Sequence, residues 1–212
     1  MKSFDALIAE ISSCQICAAH LPHDPRPVLQ VGSQARILVA GQAPGRKVHE
    51  SGVPFDDASG DRLRDWLGVS KEQFYNRKLF AVLPMGFCYP GTGKSGDLPP
   101  RPECAPAWRA QVLARLKKLK LTLVVGQYAQ AYHLPMSQGS VTELAFAWRK
   151  TWPHTVALPH PSPRNNLWLK RNPWFETELV PKLRILIAEI IANDVSYVGS
   201  LMSLKIRRNK SN

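Results

Sequence analysis

Arg36-Ile37-Leu38-Val39-Ala40-Gly41-Gln42-Ala43-Pro44-Gly45 changes character at its midpoint, and that change decides the fold. The first half is a nearly continuous apolar run, which reads as a strand buried on both faces. The second half is Gly and Pro punctuation, which ends regular structure in a sharp loop. A buried strand that runs into such a loop is a natural place for a site, because ligands of open α/β sheets bind outside the carboxyl ends of the strands.

Working outward, the same pattern recurs. Leu79–Leu83 and Leu121–Val125 read as further strands, and Thr155–Leu158 as a fourth that runs into Pro159-His160-Pro161-Ser162-Pro163-Arg164-Asn165. Helical patterns lie between them: residues 3–13, residues 61–68 with Gly68 as a stop, a helix from Lys71 capped by Ser70, and residues 107–118 and 127–133. Residues 174–192 form the longest amphipathic pattern, with Pro181 expected in a first turn. The fold class is therefore α/β: a three-layer α/β/α arrangement around a central, mostly parallel four-stranded sheet. Pro84–Pro106 is dense in Gly and Pro and reads as a long irregular loop, whose length calls for a function or a ligand. One domain is expected over 1–195, followed by a basic tail at 196–212 that ends in the polar run Lys205–Asn212.

With 44% hydrophobic and 21% charged residues, the 212-residue composition is that of a globular chain and excludes a mostly disordered one. Its N-terminus does not read as a signal peptide, and no run of apolar residues is long enough to span a bilayer; a cytoplasmic protein with no membrane partner is the expectation. Lys and Arg number 28 against 16 Asp and Glu, a net charge of +12. That excess favours a polyanionic partner, although basic surfaces also serve solubility or lipid contact.

Three stretches together resemble the uracil-DNA glycosylase superfamily, and in particular its bacterial iron-sulfur members of the family-four and family-five type. Gly41-Gln42-Ala43-Pro44-Gly45, followed by Pro54-Phe55, resembles the first motif, in which a loop positions water and an aromatic ring stacks on the flipped base. His160-Pro161-Ser162-Pro163-Arg164-Asn165 resembles the second, which enters the minor groove and supplies the His facing the leaving base. Asp57-Ala58-Ser59-Gly60 is similar to a family-five segment whose Asp is implicated in catalysis. The resemblance implies a monofunctional enzyme that hydrolyses the N-glycosidic bond of uracil or another damaged base in DNA, acting as a monomer. It implies Asp57, His160 and Gln42 as catalytic residues, Phe55, Gly41 and Ala43 at the base, and Ser162, Arg164 and Asn165 on DNA.

The residues suit that chemistry. A base inside a duplex must be extruded into a pocket before it can be cut, and Phe55 is the ring to hold its face. A neutral His160 can donate to the developing base anion, or can simply be satisfied by its own turn. Two departures from the family pattern stand out. Gln42 occupies the position where the iron-sulfur members carry Glu, and an amide orients water without serving as its base. Asp57 takes up that candidacy or merely caps the following helix, with His49 and Asp56 in reserve. The Asn that reads uracil in relatives is missing from Leu83-Pro84-Met85-Gly86-Phe87-Cys88, which leaves the preferred base open. A non-catalytic nucleic-acid-binding member of the same fold is the alternative. A metal-dependent hydrolase is disfavoured, because the six His show no ligand spacing.

Cys14-x2-Cys17 and Cys88-x15-Cys104 account for all four cysteines. Four thiolates are what a [4Fe-4S] cluster or a structural zinc requires. The resemblance favours the cluster; free thiols or disulfides remain the alternatives. Ligation would also order the long Gly/Pro segment between Cys88 and Cys104.

Overall fold

The computed structural model describes residues 2–94, 96–135 and 138–193. Four strands, Ile37–Ala40 (β1), Phe80–Val82 (β2), Leu121–Val125 (β3) and Thr155–Leu158 (β4), form one parallel sheet in the order β2-β1-β3-β4. Ile37 stands opposite Phe80 on one side and Leu121 on the other, and Leu123 is opposite Val156. The outer edge of β2 is closed by Gln30, which pairs antiparallel with Val82 and whose buried amide donates to the carbonyls of Phe74 and Phe80 at 3.0 Å. An edge covered in this way offers no free ladder to another chain.

Alternation along the strands divides the core. Ile37, Val39, Leu123 and Val156 face one way and Leu38, Ala40, Val124 and Ala157 the other. Helices cover both faces, in chain order Phe4–Ser12 (α1), Arg46–Ser51 (α2), Ala58–Leu67 (α3), Lys71–Tyr75 (α4), Ala110–Leu113 (α5), Gln127–His133 (α6), Val141–Phe146 (α7), Asn166–Arg171 (α8) and 174–193 (α9). The first face packs on α3, α4 and α9 through Leu63, Trp66, Phe74, Phe175 and Leu183. The second meets α1 and α5 through Leu7, Ile11 and Val112, and α6 through Ala129. This is the three-layer α/β/α arrangement. Each fully buried aliphatic or aromatic side chain contributes on the order of 1.5–3 kcal/mol of transfer free energy, so the doubly covered strands dominate the core.

Local chemistry sets the element ends. Gly68 takes a left-handed conformation (φ 66°) and stops α3, and Ser70 with Gln73 forms a reciprocal capping box on α4. Some boundaries differ from the sequence expectation. Helix α3 begins at Ala58 rather than near Asp61, because Asp57 caps it. The helix expected over 107–118 ends at Leu113, and a wider π turn, Ala105–Arg109, leads into it. Pro181 lies inside α9 rather than at its start. A π turn over Phe175–Leu179, closed by the Val180 N–H to the Phe175 carbonyl, directly precedes the proline that has no N–H to give. The short helices α2, α7 and α8 carry no clear periodicity in the sequence. The tail at 196–212 lies outside the described residues. Among the described residues no helix is long and apolar enough to cross a membrane.

Candidate active site

The carboxyl ends of β1 and β4 open onto one cleft of about 490 Å³. The loop after β1 supplies Gly41, Gln42 and Ala43 to it. The turn before α3 supplies Phe55 and Asp57, the first turn of α3 supplies Ser59, and the loop after β4 supplies His160, Ser162, Arg164 and Asn165. Residues read from three separate stretches of sequence thus line a single cavity. The reserve candidates do not: Asp56 pairs with Lys71 at 3.4 Å, and His49 packs against His23 with tilted rings whose centroids are 4.0 Å apart.

The Phe55 side of the cleft is clamped from below. Phe55 holds a positive φ of 55°, uncommon for a residue with a side chain and stable only when its surroundings over-determine it. Buried Arg64 donates to the Phe55 carbonyl at 3.2 Å, and the Tyr75 hydroxyl donates to the Pro54 carbonyl at 2.9 Å. Gly60 packs so closely that a Cβ built there would fall 1.8 Å from the Phe55 oxygen. Arg64 and Tyr75 escaped the sequence reading, and Gly60 was read there only as the end of the Asp57-Ala58-Ser59-Gly60 segment. Asp57 accepts from the Gly60 N–H at 2.8 Å and caps α3 while it lines the cleft, so the capping role is real and coexists with its place in the site.

On the opposite loop, Asn165 Nδ2 donates to the His160 carbonyl at 2.7 Å, and the Ser162 hydroxyl accepts from the Arg164 N–H at 3.2 Å. From α3, Arg62 donates to the Ser162 carbonyl at 3.0 Å and to Asn166 Oδ1 at 2.7 Å, tying this loop to the Asp57 side. Burial pushes the His160 pKa below its ordinary value; Asp57 and Asp97 act in the opposite direction. The net lowering favours a neutral ring, able to donate from one nitrogen.

Asp97 is the cleft residue that sequence reading missed. It stands at the mouth on a two-residue hairpin, Thr92–Gly93 with Gly96–Asp97, inside the Gly/Pro-rich segment. Desolvation raises its carboxyl pKa, opposed by Arg164 and His160 and reinforced by Asp57. The same segment meets the loop after β1 directly: the Met85 and Gly86 N–H groups donate to the Gly41 and Gln42 carbonyls at 2.9 Å, and Gln42 Nε2 donates to the Leu98 carbonyl at 3.2 Å. Fully buried Arg109 pins its start, donating to the Leu83 and Pro84 carbonyls at 2.9 Å and contacting His133 Nε2 at 2.6 Å.

A second, smaller cavity is lined by Cys14, Cys17, Cys88 and Cys104 together with Phe87 and Trp108. All four cysteines are free thiols, which removes the disulfide alternative. Two sulfurs accept N–H groups: Cys104 from the Phe87 backbone and Cys14 from the Trp108 indole, each at 3.3 Å. Burial raises the Cys88 thiol to about 11 and the Cys104 thiol to about 12. Among the described residues no three His, Cys, Asp or Glu converge tightly enough to hold one metal ion.

A curated relative, the type-4 uracil-DNA glycosylase of Archaeoglobus fulgidus, is 34% identical over 88 residues, a stretch covering 40% of this chain and 44% of the relative. The family model of the uracil DNA glycosylase superfamily matches residues 29–184, a span that takes in both cleft loops. That match covers well over half of the sequence, and the chain belongs to the uracil DNA glycosylase superfamily.

Proposed function

We propose that this protein is a monofunctional DNA glycosylase that hydrolyses the N-glycosidic bond of uracil or another damaged base in DNA, acting as a monomer. The observation that carries the reading is the convergence of Phe55, Asp57, Gln42 and His160 on one cleft between the loops after β1 and β4. A cleft of this size accepts a base only once it has left the helical stack. Phe55, held by Arg64 and Gly60, would present its ring to that base. Bond cleavage places positive charge on the sugar and negative charge on the base. Neutral His160 would donate to the base anion, and the Asp57 carboxylate would face the sugar cation. Gln42, whose amide is engaged with Leu98, would orient water or the base edge through its carbonyl oxygen. Ser162, Arg164 and Asn165 would follow the phosphate backbone, with the +12 net charge adding salt-dependent affinity.

Cys14, Cys17, Cys88 and Cys104 would hold a [4Fe-4S] cluster. Such a group, when bound, fastens the 88–104 segment to the N-terminal residues. The donor set fits: four free thiols around one cavity, with apolar walls and N–H donors to two sulfurs. Structural zinc, whose four ligands converge at about 2.3 Å, is the second reading of the same four thiols.

The test is to incubate the purified protein with single- and double-stranded oligonucleotides carrying uracil, hypoxanthine or xanthine, then cleave abasic sites with alkali. Wild-type protein should excise at least one base. His160→Ala should slow that reaction by about 10² to 10³ under single-turnover conditions, the usual cost of one lost oxyanion-type donor, with DNA affinity nearly unchanged. Binding without excision of any base would make the chain a non-catalytic nucleic-acid-binding member of the superfamily.

A further inference from the structure

The hairpin that bears Asp97 reaches into the space between the two cleft loops. Asp97 Oδ2 lies 3.3 Å from where a Cβ would stand on Gly45, and Arg164 Nη1 lies 3.1 Å from the corresponding point on Gly96. One strand of the hairpin therefore touches the loop after β1 and the loop after β4 together. Its carboxylate interacts favourably with His160 and Arg164 and unfavourably with Asp57, and these are the charged and titratable groups that face it.

Hydrolysis of a glycosidic bond needs a group that can hold water and take its proton. Gln42 cannot accept a proton, and its donor nitrogen is committed to the Leu98 carbonyl. Asp57 has one oxygen engaged by the Gly60 N–H, where it caps the first turn of α3. Among the described residues neither oxygen of Asp97 accepts a hydrogen bond, and the residue lines the cleft mouth, where water arrives from solvent.

We propose that Asp97 is the catalytic carboxylate that orients and deprotonates the attacking water, a role that rests on the glycosylase reading above. The water oxygen bonds to C1′ as the C1′–N bond breaks and its electron pair leaves on the base. One water proton passes to Asp97 and returns through solvent to the base anion, so the products are the neutral base and a 1′-hydroxyl abasic sugar. Asp57 then serves the sugar cation rather than the water, and the two carboxylates divide the work.

The experiment compares single-turnover rates of wild type, Asp97→Asn and Asp57→Asn across pH 5 to 9 on whichever oligonucleotide wild type cleaves, with DNA affinity measured alongside. Asp97→Asn should slow the reaction by about 10² or more, within the usual range for a lost general base, and should abolish the rise in rate with pH on the acid side. Its DNA affinity should hold or improve, since a negative charge leaves the cleft mouth. A merely structural role for Asp97 would lower the rate at every pH and keep the acid limb, which would overturn the assignment. So would an acid limb lost in Asp57→Asn and kept in Asp97→Asn. A wild type that cleaves none of the bases overturns the glycosylase reading and this assignment together; a wild type that cleaves, with Asp97→Asn at the same rate, overturns the assignment alone.

Discussion

Between Gly41 and Gly60 the cleft is walled by a strand end, two helix starts and a turn clamped by Arg64 and Tyr75, whereas across the opening, from Pro84 to Cys104, the regular structure among the described residues is a hairpin of two-residue strands. The first wall takes its shape from neighbours in sequence: Asp57 caps the helix that carries Gly60, and Gly60 makes room for the Phe55 carbonyl. The second is held by distant partners, namely Arg109 at its start, the Gly41 and Gln42 carbonyls beside it, and the cavity it shares with Cys14 and Cys17 near its two ends. A wall without its own ladder of hydrogen bonds is ordered only as well as its anchors. Each anchor can be removed separately, and the two walls should respond differently.

The largest effect is expected from Cys88→Ala. Wild-type protein purified aerobically should be brown, with broad visible absorbance bleached by dithionite, and the variant should lose it. Since metal-binding free energy is folding free energy, the variant should also melt at a lower temperature and become sensitive to proteolysis within 84–104 before the 41–60 wall is cut. Colourless protein holding about one zinc per chain would replace the cluster while keeping the anchor. A variant with unchanged proteolysis would mean that Arg109 and the hydrogen bonds to Gly41 and Gln42 suffice for the second wall.

Gly60→Ala attacks the first wall and should act more moderately. The new Cβ would meet the Phe55 carbonyl at 1.8 Å, and that carbonyl cannot yield without losing its bond from Arg64. Overpacking of this kind costs about 1–3 kcal/mol, occasionally more. The variant should lower the melting temperature and weaken base excision while leaving the visible absorbance intact. Unaltered stability would show that the turn at Phe55 has slack the packing does not suggest.

The same contrast explains what was legible in the sequence. The four strands could be read because apolar runs such as Ile37–Ala40 end at Gly and Pro, and the cleft loops because they follow those strands directly. Asp97 could not, since nothing within a Gly/Pro-rich segment says which distant loop it touches; its position depends on Gln42 meeting Leu98 and on the cysteine cavity. Arg109 was hidden for a related reason. A buried guanidinium among helical residues looks like a surface cation until the Leu83 and Pro84 carbonyls are found against it. Pro181 misled in the other direction, because a π turn lets a helix run through a proline that ordinary winding would exclude.

The smallest effect concerns the Arg109 anchor and pH. Burial and the neighbouring Arg109 charge lower the His133 pKa from an ordinary 6.5 to about 4 in the folded protein. His133 is therefore neutral at pH 7, and its Nε2 can accept from the Arg109 guanidinium at 2.6 Å. In the unfolded chain the same ring takes up a proton as pH falls through 6.5. The unfolded state then binds more protons than the folded one, so stability falls between about pH 6.5 and 4 and this contribution levels off below. His49 and His160, also lowered, add to the slope, and the raised Asp97 carboxyl opposes it; all three are unchanged in a His133 variant. His133→Gln keeps an acceptor for Arg109 but does not titrate. Urea midpoints measured from pH 7.5 to 4.5 should fall less steeply for this variant than for wild type, with similar values at the upper end. Identical slopes would mean that His133 takes up protons alike in the folded and unfolded chain, so that its ring is not held neutral against Arg109 and the Leu83 and Pro84 carbonyls are what hold the second wall's start.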